Sequence, residues 1–196
     1  MQVILASGSA SRRALLAGAG VAAESVKPNV DEDAVKAALR ADGLPVRDQA
    51  MALAELKAQK VSAGHNGLVI GGDQMLALEG AAFDKPADLD SARSHLRALS
   101  GKTHTLETAL VICENGEAVW RHLARPKLTM RPLSEAFIED YIVKSGDGLL
   151  STVGAYKLEA LGAQLFTQIE GDYFSILGLP LLPLLDYLRV RGALAT

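Results

Sequence analysis

Apolar and polar positions alternate along this chain in short blocks, each with the period of a strand or of a helix. Val3-Ile4-Leu5-Ala6 is a compact apolar run with β-branched members; a Gly/Ser cluster follows, then Arg12 to Ala19, rich in Ala and Leu. The order predicted is strand, turn, helix. An extended piece ends at Lys27-Pro28-Asn29, and a short helix spans Asp33 to Arg40, stopped by Asp42-Gly43. The spacing of Met51, Leu53, Ala54, Leu56, Ala58 and Val61 predicts a longer amphipathic helix over Val46 to Ala63, with Asp48 near its start.

Leu68-Val69-Ile70-Gly71-Gly72-Asp73 reads as a buried strand that ends in glycines and a carboxylate, and Met75 to Leu78 carries it to a turn at Glu79-Gly80. Asp88 caps a helix that runs to about Leu99 and stops at Ser100-Gly101. Thr103 to Cys113 and Ala118 to Met130 form two strand-like runs joined through Asn115-Gly116, a strong hairpin signal. Ser134 is an N-cap for a helix to Val143. Gly162 to Ile169 reads as another strand, and Leu179 to Val190 as a closing helix that accepts Pro180 in its first turn. Strands and helices alternate without repeats or low-complexity tracts, which predicts an α/β or mixed α+β fold. No linker-like segment divides the chain, so residues 1–196 are expected to form one domain.

Composition narrows the function classes. With 49% hydrophobic and 22% charged residues in 196, the chain has the balance of one compact domain or two small lobes sharing a core. Acidic residues outnumber basic ones 23 to 20, so there is no diffuse positive field to recruit nucleic acid or an anionic membrane, and neither is expected as a partner. A polyanion would have to be met by a local basic cluster. The single cysteine, Cys113, excludes an internal disulfide framework and a CxxC zinc site and fits a reducing, cytoplasmic location. The longest apolar stretches, around Ala14 to Ala23 and Ile176 to Leu185, are well short of the roughly 18 residues of a membrane span. No signal peptide is expected, because a basic segment followed by an apolar run is missing at the start.

Three stretches could carry chemistry. Ser7-Gly8-Ser9-Ala10-Ser11-Arg12-Arg13 lies between a strand and a helix, where free backbone N–H groups, the hydroxyls of Ser7, Ser9 and Ser11 and two guanidinium groups could surround a phosphate. The plain alternative is a Ser-capped helix with two solvated arginines. Val30-Asp31-Glu32-Asp33 presents carboxylates that suit a hard cation such as Mg²⁺, or simply an acidic helix N-terminus. Asp73, after two glycines at the end of the most apolar strand, reads as a site residue. Lys85, held by Pro86, and Lys57 on its helix read, each taken alone, as surface residues. His65, His95, His104 and His122 show no paired metal-ligand spacing, and no nucleophilic triad is supported. Cys113 reads as a small buried hydrophobe.

Taken in order, Leu5-Ala6-Ser7 through Arg12-Arg13 with Leu15-Leu16, Val30-Asp31-Glu32, Leu53-Ala54 with Lys57-Ala58, Ile70-Gly71-Gly72-Asp73, Lys85-Pro86, Leu99-Ser100-Gly101 with His104, Gly154-Ala155-Tyr156 and Gly178-Leu179-Pro180 make the chain resemble the Maf family of nucleotide pyrophosphatases over nearly its whole length. The resemblance implies a mixed α/β fold, similar to inosine triphosphatases, with an elongated central sheet, flanking helices and a cleft between two lobes. It implies hydrolysis of a nucleoside triphosphate to monophosphate and pyrophosphate with Mg²⁺ or Mn²⁺. By matching position, Arg12, Glu32, Lys57, Asp73 and Lys85 would line the site, with Glu32 and Asp73 holding the metal and Asp73 accepting the proton of the attacking water. Three cations suit a triphosphate whose leaving group gains charge.

Specificity is read from departures within that pattern. Gln74 after Asp73, and Lys157-Leu158-Glu159 after Gly154-Ala155-Tyr156, are similar to the branch that prefers 7-methyl-GTP, whereas the dTTP and UTP branch usually has Thr and Gln at those points. A carboxylate at Glu159 can accept from guanine N1–H and N2–H₂, and Gln74 could donate and accept nearby. Ser11 supplies no aromatic platform for a cationic methylated base. The expected activity is removal of non-standard or methylated nucleotides, guanine types first and dTTP or UTP second. A reading from another class makes the chain a regulatory nucleotide-binding protein in cell-division arrest. Family members are often homodimers, which the resemblance extends to this chain as an expectation.

Overall fold

Along the first strand, β1 (Val3–Ala6), side chains take opposite faces in turn, and the packing on those faces organises much of the chain. The computed structural model describes residues 1–195. In chain order β1 is followed by α1 (Ala10–Gly18), β2 (Ala23–Ser25), α2 (Glu32–Ala41), α3 (Val46–Ser62), β3 (Leu68–Leu78), β4 (Ala81–Phe83) and α4 (Leu89–Leu99). Then come β5 (Thr103–Glu114), β6 (Glu117–Ala124), β7 (Lys127–Met130), α5 (Glu135–Ser145), three 3-10 turns between Gly146 and Leu165, β8 (Phe166–Glu170), α6 (Tyr173–Ile176) and α7 (Leu181–Val190). The eight strands form one mixed sheet in the order β2-β1-β3-β5-β7-β8, with β4 paired to β3 and β6 to β5. The mixed α/β class expected from the sequence is the class observed.

The chain packs as two units. The first comprises residues 1–74, 108–124 and 172–195; the second comprises 75–107 and 125–171. In the first unit β1 runs parallel to both β2 and β3, with Val3 opposite Leu68 and Ala6 opposite Gly71. Val3, Leu5, Leu68 and Ile70 join Leu16 of α1, Leu110 and Ile112 of β5, and Leu181, Leu184 and Leu188 of α7 in one core cluster. Ile4, Ala6 and Val69 pack on the other face with Val61 of α3. In the second unit α4 buries Ala92, Leu96 and Leu99, and Arg93 and Arg97 pair with Glu139 and Glu135 of α5. His104, Tyr156 and Phe166 form an aromatic group there.

Three sequence expectations change. The run Ala118 to Met130 breaks at Arg125-Pro126 into β6 and β7, since proline has no N–H for the ladder; Pro126 instead gives its carbonyl to Leu106 N at 2.9 Å. Gly162 to Ile169 starts as a 3-10 turn, Leu161–Leu165, and only becomes strand at Phe166. The closing helix begins at Leu181 as α7, so Pro180 is its N-cap residue rather than part of its first turn, and the short α6, capped by Asp172 and ending before Gly178 at φ +97°, precedes it without having been predicted. The other predicted elements fall within a few residues of their expected bounds, whereas β4 and the 3-10 turns from Gly146 to Ala155 were not predicted.

Candidate active site

The first βα turn and the strand β3 build the site within the first unit. Beyond Ile70, the period of two places Gly71 and Asp73 on the α3 face and Gly72 and Gln74 on the α1 and α7 face. A Cβ at Gly71 would lie 2.1 Å from the Ala54 carbonyl oxygen of α3, so only glycine lets the helix come this close. A Cβ at Gly72 would meet Leu110 Cδ2 at 3.0 Å and Arg12 Nε at 3.2 Å. The two glycines that draw attention before Asp73 thus admit a helix on one face and a guanidinium on the other.

Lys57 sits on α3 among Leu53, Ala54, Ala58 and Val61, on the buried stripe of the helix, and is 5% exposed. The expectation that Lys57, taken alone, lies on the surface is therefore corrected. Its ammonium donates to Asp73 Oδ1 at 2.7 Å and is paired with Glu32 Oε1 at 2.9 Å. Asp73 is 5% exposed, and its Oδ2 is buried without a hydrogen-bond partner. A buried carboxylate oxygen left open in this way is a lone pair awaiting a proton donor or a cation.

Arg12 is buried at the first turn of α1. Its Nε donates to Gly178 O at 2.8 Å, and its Nη1 donates to Gly72 O at 2.9 Å and Ser7 Oγ at 3.3 Å. Burial lowers its pKa from the ordinary arginine value, while the negative charges of Asp73 and Glu32 act the other way. Ser7 Oγ also accepts from Ser9 N, and Ser9 Oγ caps α1 by accepting from Arg12 N. Ser11 is half-buried on the first turn, whereas Arg13 is exposed and folds back on the loop through Gly8 O at 3.0 Å. Hence the serine cap of the plain alternative is present, but only one of its two arginines is solvated, and Arg12 turns inward. The two arginines do not act together.

Asp31 takes the plain reading, capping α2 by accepting from Ala34 N, and Glu32 alone of that acidic run is shown paired with Lys57. Gln74 corrects its expected versatility. Its amide nitrogen donates towards Thr108 Oγ1, Ser175 O and Ile176 O at 2.8, 3.0 and 3.1 Å, which commits both hydrogens and fixes the amide orientation. What Gln74 can offer a ligand is its carbonyl oxygen. Thr108, Ser175 and Gly178 were not singled out as functional from the sequence; the signal was Gly178-Leu179-Pro180, whose glycine supplies the carbonyl for Arg12.

Lys85 and Glu159 belong to the second unit, and both are exposed. Among the described residues no three His, Cys, Asp or Glu side chains converge as a metal cluster, and no helix is long and apolar enough to cross a membrane.

The chain has similar proteins over its whole length. A protein of Hyphomonas neptunium named nucleoside triphosphate pyrophosphatase is 71% identical over the whole chain and 99% of its own length. One of Rhodospirillum rubrum with the same name is 54% identical over 98% of the chain and 96% of its length. A 7-methyl-GTP pyrophosphatase of Rhizobium meliloti is 49% identical over 98% of the chain and 97% of its length. With the family model described as Maf-like protein matching residues 2–191, this chain belongs to the Maf family.

Proposed function

We propose that the chain is a hydrolase that splits a nucleoside triphosphate between its α- and β-phosphates, releasing monophosphate and pyrophosphate. The observation that carries this is Asp73, held by Lys57 through one oxygen with the other oxygen buried and unpartnered, its negative charge felt by the buried Arg12. In the reaction water attacks the α-phosphorus, its proton passes to the Asp73 carboxylate, and the bond to the bridging oxygen breaks. The leaving pyrophosphate takes the negative charge, which Arg12 and Lys57 offset. The family pattern adds Lys85 as a further cation for the phosphates. The loop from Ser7 to Ser11 offers hydroxyls and helix N–H groups to the phosphates.

The residues present fit a divalent cation. The open Asp73 oxygen and the Glu32 carboxylate are hard donors, and two protein carboxylates with phosphate oxygens and water are a usual Mg²⁺ shell. When bound, Mg²⁺ or Mn²⁺ would acidify water and neutralise phosphate charge. Glu32 and Asp73 would hold it.

Among nucleotides we favour a guanine base, and 7-methyl-GTP in particular. Gln74 presents only an acceptor, and Glu159 is a carboxylate; guanine offers N1–H and N2–H₂ to acceptors, while a pyrimidine dione offers one N–H between two carbonyls. The relatives named for 7-methyl-GTP, at 49% identity, support the same choice.

The test is pyrophosphate release with Mg²⁺ and with Mn²⁺ across 7-methyl-GTP, GTP, ITP, dTTP, UTP and their 5-methyl analogues, with Asp73→Asn beside the native protein. The expected result is turnover led by guanine nucleotides and lost in Asp73→Asn, with nucleotide affinity and the folded spectrum retained. Preference for dTTP or UTP would overturn the base assignment. Turnover that survives Asp73→Asn would overturn the proton acceptor. Binding without turnover of any nucleotide would establish the regulatory reading instead.

A further inference from the structure

Outside the phosphate site, one buried polar pair has no part in the proposed chemistry. His104 of β5 is 1% exposed and Tyr156 is 5% exposed, and His104 Nε2 lies 2.7 Å from Tyr156 Oη. The other ring nitrogen, Nδ1, is buried with no partner. A buried imidazole satisfied on one side only is a poor choice for a core, where leucine or phenylalanine would leave nothing unpaired. What the imidazole supplies, and an apolar ring could not, is a fixed position for the Tyr156 hydroxyl.

That position matters because of what Tyr156 joins. Before it, Gly154 and Ala155 have φ of +78° and +58°, two left-handed residues in succession, the second with a side chain that disfavours this backbone. A Cβ at Gly154 would lie 2.6 Å from Leu76 Cδ1 and 2.8 Å from Tyr156 Cε1, so the kink is packed directly on the tyrosine ring. Phe166 covers that ring at 4.9 Å between centroids. After Tyr156 the chain folds back on itself: Ala160 N donates to Lys157 O at 3.2 Å, and a Cβ at Gly162 would lie 2.3 Å from the same oxygen. The exposed tip of this short turn carries Glu159.

We infer that His104 is a positioning residue, which through its hydrogen bond to Tyr156 locks the turn from Gly154 to Gly162 and so fixes the direction in which Glu159 is presented to a ligand. The inference rests on the reading of Glu159 as a base contact. It makes base selectivity a property of a pre-formed turn rather than of one side chain: a carboxylate on a loose loop accepts any donor, and one held in a fixed direction discriminates.

The test compares Tyr156→Phe, which removes only the hydroxyl, with Glu159→Gln, and adds His104→Leu and His104→Gln, since an amide can still reach the tyrosine. Two readouts are used: the ratio of kcat/KM for 7-methyl-GTP to that for dTTP, and the rate of tryptic cleavage after Lys157. In Tyr156→Phe the ratio is expected to fall about tenfold, the change expected for a hydrogen bond lost, mainly through KM. Cleavage after Lys157 is expected to rise by a similar factor. His104→Leu should act alike and His104→Gln should recover part of both. Native cleavage in Tyr156→Phe, or freed cleavage with an unchanged ratio while Glu159→Gln does alter it, overturns the positioning role. Freed cleavage in Tyr156→Phe with no change of ratio in either variant refutes Glu159 as the base contact, and with it the claim that the turn aims it.

Discussion

Replacing Gly71 by alanine tests the link between packing and the site. The added Cβ would lie 2.1 Å from Ala54 O, 2.7 Å from Ala58 N and 2.8 Å from Ala58 Cβ. The first two are backbone atoms of α3, which cannot rotate away, so the helix has to retreat by about 1 Å. Overpacking of this kind costs about 1–3 kcal/mol, and a rigid obstacle places Gly71→Ala at the upper end. Lys57 stands next to Ala58 and moves with the helix, stretching its 2.7 Å bond to Asp73 beyond hydrogen-bond range. A displacement of ~1 Å at a reacting centre can lower turnover by about 100-fold. Urea denaturation followed by Trp120 fluorescence measures the first effect and initial rates of pyrophosphate release the second. Gly18→Ala is the control, because nothing lies within 4 Å of its added Cβ. If Gly71→Ala changed stability by no more than Gly18→Ala and kept native kcat, the close approach of α3 would not be what positions Lys57.

Two further outcomes follow from buried groups. Burial lowers the pKa of His104 from 6.5 to about 4, so between those values the unfolded chain binds the extra proton and stability rises with pH. That contribution is complete above about pH 6.5 and declines as pH falls towards 4; denaturation curves at pH 5 and 7.5 should differ by roughly 2 kcal/mol from this residue, a difference that His104→Leu removes. Arg12→Lys keeps the charge but cannot reach Gly178 O, Gly72 O and Ser7 Oγ together. A loss of about 3 kcal/mol in unfolding free energy is expected, with weaker nucleotide binding by calorimetry; native stability would show the three acceptors to be satisfied otherwise.

Much of this was legible in the residues. Val3 to Ala6 and Leu68 to Ile70 are unbroken apolar runs and the helix over residues 46–62 carries an apolar stripe, so these elements stand where the pattern predicts, with the strand of Leu68 continuing through Asp73 to Leu78. Lys57 was hidden because a charge is ordinarily placed on the solvent face. The signal was present: its spacing from Leu53, Ala54 and Val61 lies on the apolar stripe, and a lysine there needs a buried anion. The commitment of Gln74 was not legible, since its partners Thr108, Ser175 and Ile176 are far away in sequence. The two packing units were hard to read because two of the four passages between them lie inside β3 and β5, where strand residues look alike on either side, and the other two, before Pro126 and after Gly171, look like ordinary turns.

The alternation along β3 means that the site is written in parity. Gly71 and Asp73 share one parity and Gly72 and Gln74 the other, and each has work only on its own face. Deleting or inserting a single residue between Leu68 and Gly71 would keep a plausible apolar strand yet swap every assignment at once: a deletion places the carboxylate against Arg12 and Gln74 against Lys57, and an insertion places Gly72 against Lys57 and the carboxylate against Thr108. Among relatives that retain the activity, length changes should therefore be absent from this segment even where its apolar residues vary freely, and an engineer can exchange side chains here but not count.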